Sequence, residues 1–253
     1  MHAGTVQRLW RWPVKSMGGE QVGALSVGAH GVGGDRAHAV THEHKGERRH
    51  LTAREAPRLL AWQAAYPVDL GAGPDPDGAP HALVSGPDGR GTWRWGDPGL
   101  RSALERDLER PVELVRDVTG MADVPGQVLV TTAATHAALE RALGRAIDVR
   151  RFRPNFHLEL DAPAWAELAW PGAAIEFERG VRLEIVEPCV RCAIPTRDPD
   201  TQQKWPQLLA HLAAKHGQAL GVLARVLSGG RVETGEAVRV RTTEASASPE
   251  LGR

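Results

Sequence analysis

The sequence predicts a mainly β protein with a few helices, of the β-barrel type. Three observations lead there. Short β-like runs recur along the whole chain, turn residues separate them at close intervals, and only three segments carry a helical apolar period. The length of 253 residues suits one large core or two small ones.

The first series of expected strands is Val6–Trp12, Glu20–Val27, Ala37–His42, Leu60–Tyr66, His81–Ser85 and Gly91–Trp95. Ser85-Gly-Pro-Asp-Gly-Arg-Gly91 reads as a hairpin connection, because Gly, Pro and Asp supply the backbone angles that end a strand. Gly71 to Pro80 is a Pro/Gly loop and the expected flexible excursion. Asp97-Pro98 caps a first helix with Leu100, Leu104 and Leu108 on one face. Thr135 is the expected cap of a second helix, with Leu139 and Leu143 inward and Gly144 as its stop. A third runs from about Pro206 to Lys215, carrying Leu208, Leu209 and Leu212. Strands return at Val112–Arg116, Gln127–Thr131, Phe156–Leu160, Ala174–Phe177, Val181–Val186 and Ala237–Val240. The working division is a β domain over 1–95, a second β-rich domain over 96–243 and a disordered tail over 244–253.

Composition excludes several classes. Lys plus Arg and Asp plus Glu stand at 31 each, so no global field draws the chain to nucleic acid or an anionic membrane. No apolar stretch reaches the roughly 18 residues of a membrane span, and the N-terminus lacks the basic and apolar regions of a signal peptide. The expectation is a soluble cytoplasmic protein. Two cysteines three positions apart point to redox or metal chemistry rather than to a disulfide framework.

Those cysteines lie in Glu187-Pro-Cys189-Val-Arg191-Cys192-Ala-Ile-Pro-Thr196, after an alternating strand. Arg191 beside Cys192 favours the thiolate, the form that ligates metal. On spacing alone three readings stay open. One is a thioredoxin-like dithiol, although Pro188 and Pro195 frame a loop rather than a helix start. Another is half a zinc site completed by His157 or His211. The third is a pair of partly buried structural cysteines.

Three further segments carry ligand-binding chemistry. Trp12-Pro-Val-Lys15-Ser16-Met17-Gly-Gly19 places a cation beside glycines that let a ligand approach the backbone, without the P-loop spacing. Gly31-Val-Gly-Gly-Asp35-Arg36 precedes a strand rather than a helix, so it is not a dinucleotide loop. Arg150-Arg151-Phe-Arg153-Pro-Asn155 offers fork-like donors for an anion, or else a solvated charge run.

In order, these segments resemble the MOSC family, named after the C-terminal domain of molybdenum cofactor sulfurase, and within it the amidoxime-reducing components and their bacterial counterparts. Trp12–Ser16, Gly34–Arg36 and Leu51–Leu59 look like the N-terminal β-barrel domain that precedes MOSC. Arg151–Asn155 and Cys189–Cys192 look like the MOSC signatures. The resemblance implies a molybdenum cofactor, Mo-molybdopterin, with Cys192 as metal ligand and catalytic residue. It implies cofactor contacts from Lys15, Ser16, Arg36, Arg153, Asn155, Val190 and Arg191, and less securely from Thr132. Val190 departs from a Ser, Leu223 from a Tyr and Met17 from a Cys found in relatives.

The activity implied is reduction of N-hydroxylated or other N–O small-molecule substrates. Two cysteines cannot hold an iron–sulfur cluster, so electrons come from a separate flavin, iron–sulfur or b-type cytochrome protein. His38, His42, Asp198 and Asp200 are general-acid candidates by residue type alone. The rival is a non-catalytic cofactor carrier, or a sulfur-transfer module in which Cys189 and Cys192 relay a persulfide.

Overall fold

The structure is a computed structural model that describes residues 1–67, 80–89 and 91–242. The loop expected from Gly71 and the tail expected after Thr243 lie outside the described residues, Pro80 apart.

In chain order the strands and helices are His2–Arg11 (β1), Glu20–Val22 (β2), Ala24–Gly28 (β3), Gly31–Val32 (β4), His38–His44 (β5), Glu47–His50 (β6), Gln63–Ala65 (β7), Leu83–Ser85 (β8), Thr92–Arg94 (β9), Pro98–Leu108 (α1), Glu113–Arg116 (β10), Gln127–Thr132 (β11), Ala133–Leu143 (α2), Phe156–Leu160 (β12), Ala174–Phe177 (β13), Arg182–Val190 (β14), Pro206–His216 (α3), Ala219–Ser228 (β15), Gly230–Glu233 (β16) and Ala237–Arg241 (β17). The expected class holds: the protein is mostly strands, with three α-helices among the described residues.

Seven strands close into a barrel, in the order β12-β11-β15-β14-β13-β17-β1 and back to β12. Closure removes the unpaired edges that an open sheet would present. The seam is the antiparallel pair β1–β12, in register from Gly4↔Leu160 to Leu9↔Phe156 with a bulge between Val6 and Arg8. Side chains alternate across each strand. Val6, Leu9, Val128, Val130, Phe156, Leu158, Ile175, Leu183, Ile185, Val222 and Val238 fill the interior. A second core gathers Val14, Met17, Leu51, Leu59, Trp62, Trp95, Leu100 and Leu104 between the three-stranded sheets β10-β5-β6 and β7-β8-β9 and helix α1. The N-terminal segment therefore serves both cores: β1 belongs to the barrel, and the chain from Val14 onward builds the second.

The helices follow their sequence signals with one shift. Asp97 caps α1, accepting from the Gly99 N–H at 2.7 Å. The cap of α2 is Thr132 rather than Thr135. Thr135 lies inside the first turn, where its hydroxyl donates to Glu167 Oε2 at 2.8 Å. Gly144 and Gly217 end α2 and α3 in the left-handed conformation. The expected strand Glu20–Val27 is two strands broken at Gly23, and Leu60–Ala61 belongs to a 3-10 turn before β7. Strands β4, β6, β15 and β16 were not expected.

No helix among the described residues is long and apolar enough to cross a membrane.

Gly4 holds the seam. A Cβ there would lie 1.8 Å from the Glu159 carbonyl oxygen, a backbone atom that cannot yield without parting the strands. Gly4→Ala is expected to cost about 2–3 kcal/mol of stability through overpacking, seen as a lower urea midpoint with the slope unchanged.

His38 and His157 are buried and held neutral. Burial lowers His38 to about 4, against a raising backbone hydrogen bond at Pro13, with Arg116 and His81 lowering it further. Burial also lowers His157 to about 3, assisted by His136 and Arg8. The unfolded chain takes up these protons below pH 6.5 while the native state does not. Stability is thus full above 6.5 and falls with acidification, by about 1.4 kcal/mol per pH unit for each histidine. Urea midpoints measured from pH 7 to 5 should show this slope, and His38→Gln and His157→Gln should each flatten it.

Candidate functional site

The three ligand-binding segments and the cysteine segment meet in one cleft of about 300 Å³, between the outer face of the barrel and the second core. Its floor follows from strand alternation. Val128 and Val130 point into the barrel, so Gln127 and Leu129 point out into the cleft. Leu223, paired with Leu129 across β11–β15, lies beside them, and Phe152 adds a ring. Lys15, Ser16, Arg36, Arg153, Asn155, Val190, Arg191 and Cys192, all expected at a site, line it. Thr132 is not among them; it is buried and occupied in capping α2. Arg150 and Arg151 also point elsewhere, pairing with Asp148, Asp200 and Asp198.

Backbone hydrogen bonds fix the walls to one another. The Trp12 N–H donates to Asp35 Oδ1 at 2.8 Å, and the Arg36 N–H donates to the Trp12 carbonyl at 2.7 Å. The Trp12 indole N–H donates to the Pro154 carbonyl at 2.9 Å. The Asn155 side chain accepts from the Leu129 N–H at 3.1 Å and donates to the Trp10 carbonyl at 3.4 Å. Asn155 thus joins β11 to the end of β1 through its amide and positions the wall. Ser16, Arg36 and Arg153 adopt left-handed φ values of 69°, 50° and 54°. Non-glycine residues adopt such angles at a cost, and those costs concentrate at ligand sites.

Among the described residues, five cationic side chains line the cleft (Lys15, Arg36, Arg54, Arg153 and Arg191) against one lining carboxylate, Asp123. A chain with no net charge concentrates its positive field here. Lys15 Nζ donates to the Met121 carbonyl at 2.8 Å and pairs with Asp123. Arg36 pairs with Asp35 and reaches the Arg153 carbonyl at 3.4 Å. Arg153 stacks 4.3 Å from the Trp12 ring centroid and donates through Nη1 to the Met17 carbonyl. Its Nη2 is buried with no partner among the described residues, as is Arg191 Nε. Burial, then the charges of Arg36 and Arg191 against partial help from Asp35, pushes Arg153 down to about 9. An unpaired buried guanidinium is expensive in an empty pocket and becomes an asset when an anion arrives.

Arg191 also ties the cysteine segment in place. Nη1 donates to Cys189 Sγ at 2.9 Å and Nη2 to the Phe152 carbonyl at 2.6 Å. Its main chain exchanges bonds with Gln218, itself in the left-handed conformation at φ 64°. Cys189 and Cys192 are free thiols, partly exposed, and both line the cleft. No group of three or more His, Cys, Asp or Glu side chains suited to an ion forms among the described residues. The zinc reading, which needed His157 or His211, finds neither histidine in the cleft. His38, His42, Asp198 and Asp200 lie outside it as well. Sequence reasoning did not name Thr52 and Arg54 as site residues, although the segment Leu51–Leu59 was singled out, and nothing in the pattern pointed to Asp123. The arrangement can bind a multiply charged anion and present a thiol beside it.

Two family descriptions match the chain: the MOSC N-terminal β-barrel domain over residues 3–79 and the MOSC domain over residues 118–239. The chain is a MOSC-domain protein. It is 28% identical over 236 residues to mitochondrial amidoxime-reducing component 1 of Mus musculus, covering 78% of this chain and 67% of that protein. The human protein of the same name is 29% identical over 242 residues, with the same coverage. Among solved structures, YUAD protein from Bacillus subtilis aligns with a TM-score of 0.47 at 12% identity, over 96% of this chain and 99% of that one. YiiM from Geobacillus stearothermophilus aligns with a TM-score of 0.37 at 19% identity, over 52% of this chain and 67% of that one. The MOSC family is associated with the molybdenum cofactor.

The buried charge sets a trade-off that can be measured. Breaking a balanced buried ion pair costs about 3–5 kcal/mol. Arg153→Met removes an unbalanced charge, so it should keep thermal stability within about 1 kcal/mol of wild type. The same variant should bind inorganic pyrophosphate at least about tenfold more weakly, by titration calorimetry on cofactor-free protein.

Proposed function

We propose that the chain binds a molybdenum cofactor in this cleft, with Cys192 as the protein ligand to the metal. The observation that carries the reading is the pairing of a cleft thiol with buried, unpartnered guanidinium donors at Arg153 Nη2 and Arg191 Nε. The residues suit the group. A thiolate is a soft ligand appropriate to a transition metal, and the cations suit a phosphate-bearing pterin. Lys15, Arg36 and Arg153 hold charge, Ser16 offers a hydroxyl, and Arg191 fixes the strand end that carries Cys192.

The further reading is an oxidoreductase that reduces N-hydroxylated or other N–O compounds with electrons from a separate protein. The similarity to two proteins named amidoxime-reducing components supports it. When bound, the cofactor supplies the oxygen-atom and electron chemistry; the chain supplies orientation, charge balance and a partly apolar floor. Val190 and Leu223 give that wall aliphatic surface. A carrier or sulfur-transfer role is favoured by one observation, the presence of Cys189 in the same cleft under the Arg191 guanidinium.

Protein made in a cofactor-producing host should contain molybdenum and pterin in near-equal amounts. Cys192→Ala should lose nearly all its molybdenum, and Cys189→Ala should keep it. Wild type free of molybdenum, or a loaded Cys192→Ala, overturns the cofactor reading. Loaded protein that fails to reduce benzamidoxime with an artificial donor favours the carrier.

A further inference from the structure

The segment between β10 and β11, residues 117–126, lines the cleft through Ala122, Asp123 and Val124 and is tied to the neighbouring wall. The Asp117 N–H donates to the Ala37 carbonyl at 2.9 Å, and the Met121 N–H donates to the Arg36 carbonyl at 2.8 Å. The Met121 carbonyl accepts from Lys15 Nζ. Two residues on, Asp123 places its carboxylate against Lys15 and 3.7 Å from Arg54. Lys15 is 11% exposed and Asp123 is 68% exposed, so the lysine is the partner that needs a counter-charge.

We infer that Asp123 is a built-in counter-ion: it occupies the place of a ligand's anionic group on Lys15 and Arg54, and the incoming anion competes with it. The inference rests on reading the cleft as an anionic cofactor site and adds a residue that sets its affinity. Lys15 would otherwise carry an uncompensated charge inside a wall of cations. Asp123 balances that charge at the mouth, where water can receive the carboxylate once a phosphate arrives. Burial alone would raise the Asp123 carboxyl; the hydrogen bond and charge of Lys15, with Arg54 and Arg36 behind, outweigh it and keep the carboxylate ionised. A carboxylate left beside a bound phosphate repels it, so the wild-type side chain weakens anion binding while it stabilises the empty cleft. Partial exposure limits the effect to that of a surface-screened pair.

The test is calorimetric titration of inorganic pyrophosphate into cofactor-free wild type, Asp123→Asn and Asp123→Glu at low ionic strength. Asp123→Asn is expected to bind about two- to fivefold more tightly than wild type. Its thermal midpoint without ligand should be lower, and the shift on adding pyrophosphate larger. Asp123→Glu keeps the charge and is expected to bind as wild type does. Native near-ultraviolet dichroism in both variants shows that the fold is kept. Asp123→Asn binding equally or more weakly overturns the inference, as does tightening by Asp123→Glu. Pyrophosphate binding by wild type with no gain in Asp123→Asn leaves the anion-site reading standing and removes the counter-ion alone. Binding by none of the three removes both.

Discussion

The pairing of β1 with β12 is the constraint on which the rest of the structure depends. The two strands run antiparallel, so the end of β1 lies beside the start of β12. The residues that leave β1, Trp12 to Ser16, are thereby set against the residues that lead into β12, Arg153 to Asn155. One hydrogen bond between Trp10 N–H and the Asn155 carbonyl, at 3.0 Å, and one between the Trp12 indole and the Pro154 carbonyl lock the junction. Two segments about 140 positions apart become one wall because the seam register is pinned: a one-residue slip would turn the core-facing side chains of β1 and β12 outward. Gly4 is part of the same constraint, since the strands approach too closely there for any side chain.

That wall is then loaded with features that oppose stability. Arg153 is buried with only partial charge balance from Asp35 and Asp123, and Ser16, Arg36 and Arg153 hold left-handed backbone angles. The Trp12 ring under the guanidinium and the Met17 carbonyl at its edge offset only part of the cost. A fold selected for stability alone has no use for this arrangement. On the proposed reading, strain and incompletely paired charge held in place by two cores make a pocket organised before its ligand arrives.

Much of this was legible in the sequence, and the failures have physical causes. Strands with clean alternation, such as Phe156–Leu160 and Ala174–Phe177, were readable because one face meets the barrel core. Helices α1 and α3 were readable from leucine spacing and, for α1, from the Asp97-Pro98 start. Strand β15 was not, although it is a ten-residue strand at the centre of the barrel wall. Its first half, Ala219–Val222, is buried on both faces, so no alternation survives. Leu and Ala there fit helix and strand alike, and Gly221, at φ 71° with the Val130 carbonyl 2.5 Å from any Cβ, reads as a breaker. Thr132 was misplaced relative to the cleft for a related reason. In Thr131-Thr132 the two hydroxyls face opposite sides of a strand end, and the one that could cap a helix did so. Asp123 sits in an irregular loop, and no local pattern marks a carboxylate whose partners are about 70 and 108 positions away.

On the proposed reading, the cleft lets a chain of zero net charge select anions. Long-range attraction needs net charge, but binding needs only local donors that water has been forced to abandon. Arg153 and Arg191 are stripped of water by Trp12, Phe152 and the β14 end. Each then holds one guanidinium nitrogen that is buried with no hydrogen-bond partner among the described residues. Lys15 and Arg54, nearer the mouth, keep a carboxylate partner and are cheap to leave empty. On that reading, the buried arginines favour a ligand long enough to reach them, and the more exposed Arg54 favours one carrying charge at its outer end. On the proposed reading this division also separates the jobs of the chain. The deep donors and the Cys192 thiol fix where the reactive end of the cofactor lies, while the mouth governs how readily the charged end is gained and released.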